Sequence, residues 1–269
     1  MNDLLTGTID DRFVDVDFEK QPEYTRGVNG GAFMGSLPTF EASFPVLSER
    51  DIDAAIDAIA ESGFCGADYV TRVFNQRNEG SCVGNMLAQG DECLQAKQFG
   101  KDAVVPMSAI SIYKQIGRSA QSGATVSDGL DAITKVGVLP LDTPANRARF
   151  GDHVMPHTGF STRFPSDWQE TAKLFRVSEA YVIRDLPGYW TALCNGWFVG
   201  VGRAGHSILQ VAPIRKSGER ASLYVNSWDY SWGAAYKDLP GGFGVDTARY
   251  VRESATWAIA FRALKAPWE

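Results

Sequence analysis

The sequence predicts an α+β fold built as two lobes of one unit, helix-rich in its first half and strand-rich in its second. Three observations predict it. Apolar residues recur at helical spacing up to about residue 137, β-branched and aromatic runs alternate with turns beyond about residue 165, and no internal repeat or low-complexity linker separates the halves. The 269 residues, 44% of them hydrophobic, can fill a substantial core.

Residues 1–46 carry Gly, Pro, Asp and isolated aromatics with no sustained period, and read as an extended N-terminal arm before a domain at 47–269. Ser48 then stands where a helix cap belongs. Glu49 and Asp51 suit the first turn, Ile52, Ile56 and Ile59 form one stripe, and Gly63 marks the end. Residues 80–100 read as a buried helix that begins at or beside Cys82, carries Met86, Leu87, Cys93 and Leu94 mostly on one flank, and stops at Gly100. Residues 106–117 and 128–137 read as two more helices, the second leaving through an extended Val138, Leu139 and Pro140. The helical lobe is therefore expected over about 76–140. After a polar stretch reaching about Pro165, strands are expected at 180–183, 197–201, 206–212, 221–226 and 242–245, with a helix near 168–175 or 189–195, so that 141–269 forms the β lobe.

Composition narrows the function. The formal charge is −6, and the 26 Lys and Arg never gather into a run, which argues against nucleic acid as a partner. The first twenty residues have acids but no basic-then-apolar leader, and no apolar stretch approaches a membrane span, so neither secretion nor a membrane is expected. Four cysteines with no CxxC spacing, beside only three histidines, predict no disulfide framework, no metal and no cofactor. His153 and His157 lie four apart, but Pro156 breaks helical geometry between them, and they read as exposed loop residues.

Three residues carry the chemistry. Cys82 opens a helix, where free N–H groups and the positive end of the dipole favour thiolate. His206 begins an apolar strand and Asn226 ends the next one. A nucleophilic thiol needs a base to take and deliver its proton, and an imidazole needs a fixed acceptor to hold its tautomer, so the three supply nucleophile, base and orienter.

With these residues in place the chain resembles the papain family of cysteine proteases. His206 and Asn226 follow Cys82 by 124 and 144 residues, close to the family's spacing. Gln76, six residues before Cys82, matches the glutamine whose amide joins the cysteine N–H in the oxyanion hole. Asn226-Ser227-Trp228 and Trp232-Gly233 match its NSWG segment, and Gly242-Phe243-Gly244-Val245 its next strand. The resemblance runs from about Asp68 to Tyr250. It implies a papain-like fold, with a helical lobe carrying the nucleophile helix and an antiparallel β-barrel-like lobe carrying His and Asn. It further implies a peptide or protein substrate, Trp228 shielding the His–Asn bond and Trp232 lining the primed side of the cleft, with plain core as the alternative for either tryptophan, while residues 1–46 either cover the cleft like a propeptide or form part of the fold. The chain also departs from the pattern. Glu79-Gly80-Ser81-Cys82-Val83 replaces CGSCW, so the family's disulfide cannot form through position 79, and Asp128-Gly129 is the nearest approximation to its substrate-binding glycine pair. Disulfide-free relatives of this kind occur in bacteria and their viruses. The leading expectation is a cysteine peptidase, cytoplasmic or virion-associated. The alternative is a structural or docking component of a larger assembly such as a phage virion, its site retained or silent. A cell-wall amidase ranks lower, because such domains place His much closer to Cys.

Overall fold

The computed structural model describes residues 38–63, 66–203, 205–233, 240–255 and 257–265. In chain order its helices are α1 (Phe40–Ser43), α2 (Glu49–Ser62), α3 (Cys82–Phe99), α4 (Ala109–Ile116), α5 (Val126–Asp131), α6 (Pro144–Phe150), α7 (Trp168–Ala172), α8 (Leu186–Cys194) and α9 (Ala248–Ser254). The strands are β1 (Val177–Ile183), β2 (Phe198–Arg203), β3 (His206–Lys216), β4 (Glu219–Val225), β5 (Phe243–Thr247) and β6 (Trp257–Leu264). They form one antiparallel sheet in the order β1-β6-β2-β3-β4-β5. The sheet curls. Arg203 at the end of β2 pairs with Asp246 on β5, although β3 and β4 lie between them in the sheet, which gives the lobe its barrel-like form.

Both faces of the sheet are covered, which explains why its central strands read as near-continuous apolar runs. Leu209, Val211, Ile259 and Phe261 join the core beneath α3. Their neighbours Ile208, Ala258 and Ala260, with Val199 and Val201, join a second core with Ile52 and Ile56 of α2 and Tyr189 and Trp190 of α8. This is the period-2 alternation of a strand buried on both sides. Strand β6 was not among the expected strands. Its sequence WAIAFRAL has no turn residue and three alanines, a composition that also suits a helix.

The N-terminal boundary moves. Pro38 O accepts the Val182 N–H at 3.1 Å, and Phe40 is fully buried edge-on against Trp197, with ring centroids 5.1 Å apart. Residues 38–46 therefore belong to the β lobe and not to a detachable arm; residues 1–37 lie outside the described residues. Helix α2 follows the expected design, with Ser48 Oγ accepting from Asp51 N and Gly63 closing it at φ 67°. Ion pairs from Arg220 to Asp53 (2.7 Å) and from Arg215 to Asp57 (2.8 Å) fasten it to β3 and β4.

The lobe boundary at 140 moves as well. Met155 and Ala172, with Phe160, Phe164 and Trp168, cover the outer flank of α4 at Ile110 and Tyr113, so the helical lobe extends to about residue 175. Thr143 caps α6 and Pro144 opens it, a start signal set in a stretch whose polarity reads as loop. Helix α3 is buried from Val83 to Ala96 and forms the wall between the lobes. Gly84 permits its close crossing with α4, since a Cβ there would lie 2.7 Å from Ala109 O.

Phe40→Ala should lower the unfolding free energy in urea by about 3–5 kcal/mol, as expected for a fully buried ring. A loss under about 1 kcal/mol would mean that residues 38–46 are a dispensable arm after all.

Candidate active site

The hairpin between β2 and β3 pairs Arg203 with His206 and turns through Gly205 at φ 74°, a conformation that glycine adopts without strain. It sets His206 at the first position of β3. Asn226 follows the end of β4, is buried, and has its backbone N–H held by Gly242 O at 2.9 Å. Its Oδ1 lies 2.8 Å from His206 Nε2 and accepts the Ser227 N–H at 2.8 Å. A backbone N–H can only donate, so the Asn226 atom is the oxygen, and His206 Nε2 must be the protonated nitrogen. In the neutral ring Nδ1 is then the free base. Trp228, 38% exposed, stacks over the imidazole with centroids 4.5 Å apart and covers this hydrogen bond.

Cys82 is the first residue of α3 and half-buried. Burial pushes its thiol up; hydrogen bonds from the Ser207 hydroxyl and N–H, and from the first-turn N–H groups of Cys82 and Val83, oppose that shift. Ser207 follows His206 directly, so the start of β3 lies against the nucleophile. Burial also lowers His206 to about 4, with Arg203 adding to the effect and the Asn226 hydrogen bond opposing it. Burial thus opposes charge on both groups.

Gln76 is tied down at three points. Its N–H donates to Ser227 O at 2.9 Å, its Oε1 accepts the Ser227 hydroxyl at 2.6 Å, and its Nε2 donates to Glu79 O at 2.9 Å. One Nε2–H is left uncommitted by these bonds. The segment leading into it is anchored by Arg72, which pairs with the buried Glu92 of α3 at 2.6 Å and donates to Met107 O at 2.8 Å. Asn75 ties the same segment to the other lobe through Asp229 at 2.8 Å.

Glu79, where the sequence departs from the papain pattern, ties its loop to a distant segment of the helical lobe. Its Oε1 accepts the N–H groups of both Gly159 and Phe160 at 2.9 Å. Glu79, Asn75, Ser207 and Ser227 were not singled out from the sequence, since each acts through a contact formed only on folding.

The proposed glycine pair is corrected. Gly129 is buried within α5, its N–H donates to Thr125 O, and a Cβ there would meet Val83 and Leu87 of α3 at 2.7 Å; Asp128 N is capped by Thr125. The glycine serves helix packing. The segment beside the nucleophile loop is instead 119–123, where Ala120 O accepts the Gly80 N–H at 2.7 Å. Trp232 sits edge-on to Trp228, with centroids 5.9 Å apart, and packs on the second core. The expected exposure of His157 is also corrected. Its ring packs edge-on to Phe74 at 4.7 Å, and neither nitrogen has a partner among the described residues. His153 Nδ1 meets Thr171 Oγ1 at 2.9 Å. Cys65 lies outside the described residues. Among those residues no helix is long and apolar enough to cross a membrane, and no group of three or more His, Cys, Asp or Glu could hold a metal ion.

Burial lowers His157 to about 3, with Arg72 and Arg77 adding to the shift. The unfolded histidine, with a pKa near 6.5, takes up a proton as pH falls while the folded one does not. The stabilising effect is complete above pH 6.5 and is lost toward pH 3. Between pH 7 and pH 5 the stability of His157→Gln should fall by about 2 kcal/mol less than that of the wild type, measured by denaturant unfolding at both pH values. Equal falls would contradict the buried neutral assignment.

Solved structures with a similar fold are papain-like cysteine proteases. Xylellain, a cysteine protease from Xylella fastidiosa, aligns with a TM-score of 0.55 and 15% identity over 96% of this chain and 94% of its own. Digestive procathepsin L 3 of Tenebrio molitor aligns at 0.57 and 16% over 73% of this chain and 67% of its own. Bromelain from Ananas comosus, solved with the E64 inhibitor, aligns at 0.53 and 14% over 75% of this chain and 98% of its own. No family model matches the chain, and no curated protein sequence matches it. The fold is papain-like, as the sequence resemblance implied.

Proposed function

We propose that this papain-like chain is a cysteine peptidase that cleaves peptide bonds through an acyl-enzyme on Cys82. His206 Nδ1 takes the thiol proton as Sγ attacks the scissile carbonyl carbon. The resulting oxyanion is met by the free Gln76 Nε2–H and the Cys82 N–H. His206 then gives its proton to the leaving nitrogen, the C–N bond breaks, and a thioester remains. Water, deprotonated by His206, attacks that thioester and releases the carboxylate and the Cys82 thiol. The observation that supports this reading best is the double acceptor at Asn226 Oδ1, which leaves His206 Nδ1 as the only basic nitrogen of the ring. The substrate is a peptide or protein segment bound extended between the lobes, with Trp232 and the exposed face of Trp228 bordering its leaving-group side.

One observation favours a second reading, a docking or structural component of a larger assembly whose site is silent. Burial opposes charge on both Cys82 and His206, so no ion pair is prepared at rest.

An epoxysuccinyl thiol-protease inhibitor separates the two. The peptidase reading expects one adduct, located at Cys82 by mass spectrometry, absent from Cys82→Ala and slowed about 10²–10⁴-fold in His206→Ala. No adduct, or equal labelling of Cys93 and Cys194, would sink it. The acid limb of kcat/KM on a peptide substrate should have its midpoint near pH 4, where His206 becomes protonated and can no longer accept the thiol proton. A midpoint near 6.5 would mean that the imidazole is solvated and not buried.

A further inference from the structure

Between α3 and strands β3 and β4, bordered by the residue after His206 and by its acceptor Asn226, lies a cavity of about 10 Å³ lined by Phe74, Asn85, Met86, Gln89, Ser207 and Asn226, among others. Two of these side chains are amides on successive turns of α3, and they are 1% and 3% exposed. Asn85 uses its Nδ2 on Ser81, at 2.9 Å to the carbonyl oxygen and 3.0 Å to the hydroxyl, whereas its Oδ1 has no partner among the described residues. Gln89 has none for either Oε1 or Nε2; its polar neighbour along the helix is the Cys93 thiol, a weak one. A buried amide left without partners forfeits the hydrogen bonds that water gives it in the unfolded chain. A space of about 10 Å³ is near the least that holds one water, and a buried water is held by two to four polar groups.

We propose that this cavity is a built site for a single ordered water, held by Gln89 and Asn85 against the Ser207 and Asn226 side, and that Gln89 is thereby a positioning residue for His206. The water completes the hydrogen bonding of the two helix amides. It also fills the space on which both flanks of the imidazole rest, Ser207 next to it in sequence and Asn226 its acceptor. An apolar side chain at position 89 removes the groups that hold the water, and the space it leaves stays dry.

The positioning role rests on the peptidase reading; the water does not. A crystal structure at about 1.5 Å resolution of the whole chain should show a peak within hydrogen-bond distance of the Gln89 amide and Asn85 Oδ1, and Gln89→Met should lose it while remaining at least as stable in urea. A wild-type cavity without density, or a peak unchanged in Gln89→Met, overturns the proposal. Cys82 labelling by iodoacetamide should slow on the order of tenfold in Gln89→Met and recover in Gln89→Glu, which restores a polar group. Labelling at the wild-type rate in a Met variant that has lost the water overturns the positioning role. Failure of the peptidase reading would show separately, as absence of peptide hydrolysis in wild-type protein whose water is present.

Discussion

Burial of α3 along almost its whole length constrains everything around it. A helix enclosed from Val83 to Ala96 has to pair most of its polar side chains away from bulk solvent. Asn85 turns back on Ser81, Asp91 accepts from Gln95 at 2.6 Å, and Glu92 receives Arg72 together with the Met107 N–H. Burial pushes the Asp91 carboxyl up to about 7, with the Gln95 hydrogen bond opposing the shift and the Glu92 charge adding to it, so burial disfavours its charge. The Arg72–Glu92 pair fixes the segment that ends at Gln76. Cys82, Gln76 and the wall between the lobes are thus positioned by one buried helix.

The site joins the lobes more than either lobe builds it. Cys82 and Gln76 come from the helical side, His206 and Asn226 from the sheet. Ser227 links them, its carbonyl and hydroxyl held by Gln76 while its N–H holds Asn226 Oδ1. Asn75 and Asp229 repeat the link a few residues away. The Glu79 hook on Gly159 and Phe160 closes the helical lobe across eighty residues with two hydrogen bonds from backbone N–H groups to one carboxylate oxygen.

Cys82, His206 and Asn226 stand out in the sequence because their placement is local: a cysteine opening a helix, a histidine opening a strand, an asparagine closing the next strand. Their supports do not, because Glu79 meets Gly159 eighty residues away and Gln76 meets Ser227 across 151. Asp128-Gly129 shows the limit in another way. A glycine required for close helix packing and one required to bind a substrate backbone look the same in sequence, and only the contact with Val83 and Leu87 tells them apart. Helices α2 to α5, strands β1 to β5 and the order of the lobes followed from periodicity. The placement of 38–46 and 141–175 did not, since scattered aromatics reveal a core only once the surface they cover exists.

The central claim is that Cys82 is a nucleophile activated by His206, and trapping the thioester tests it most directly. Mixing the protein with an activated acyl-amino-acid ester and quenching in acid within a second should give an intact mass raised by one acyl group per chain. That group should map to Cys82, and its formation should be much slower in His206→Ala. A folded wild-type protein that gains no acyl group, or gains it equally in His206→Ala, would contradict the account.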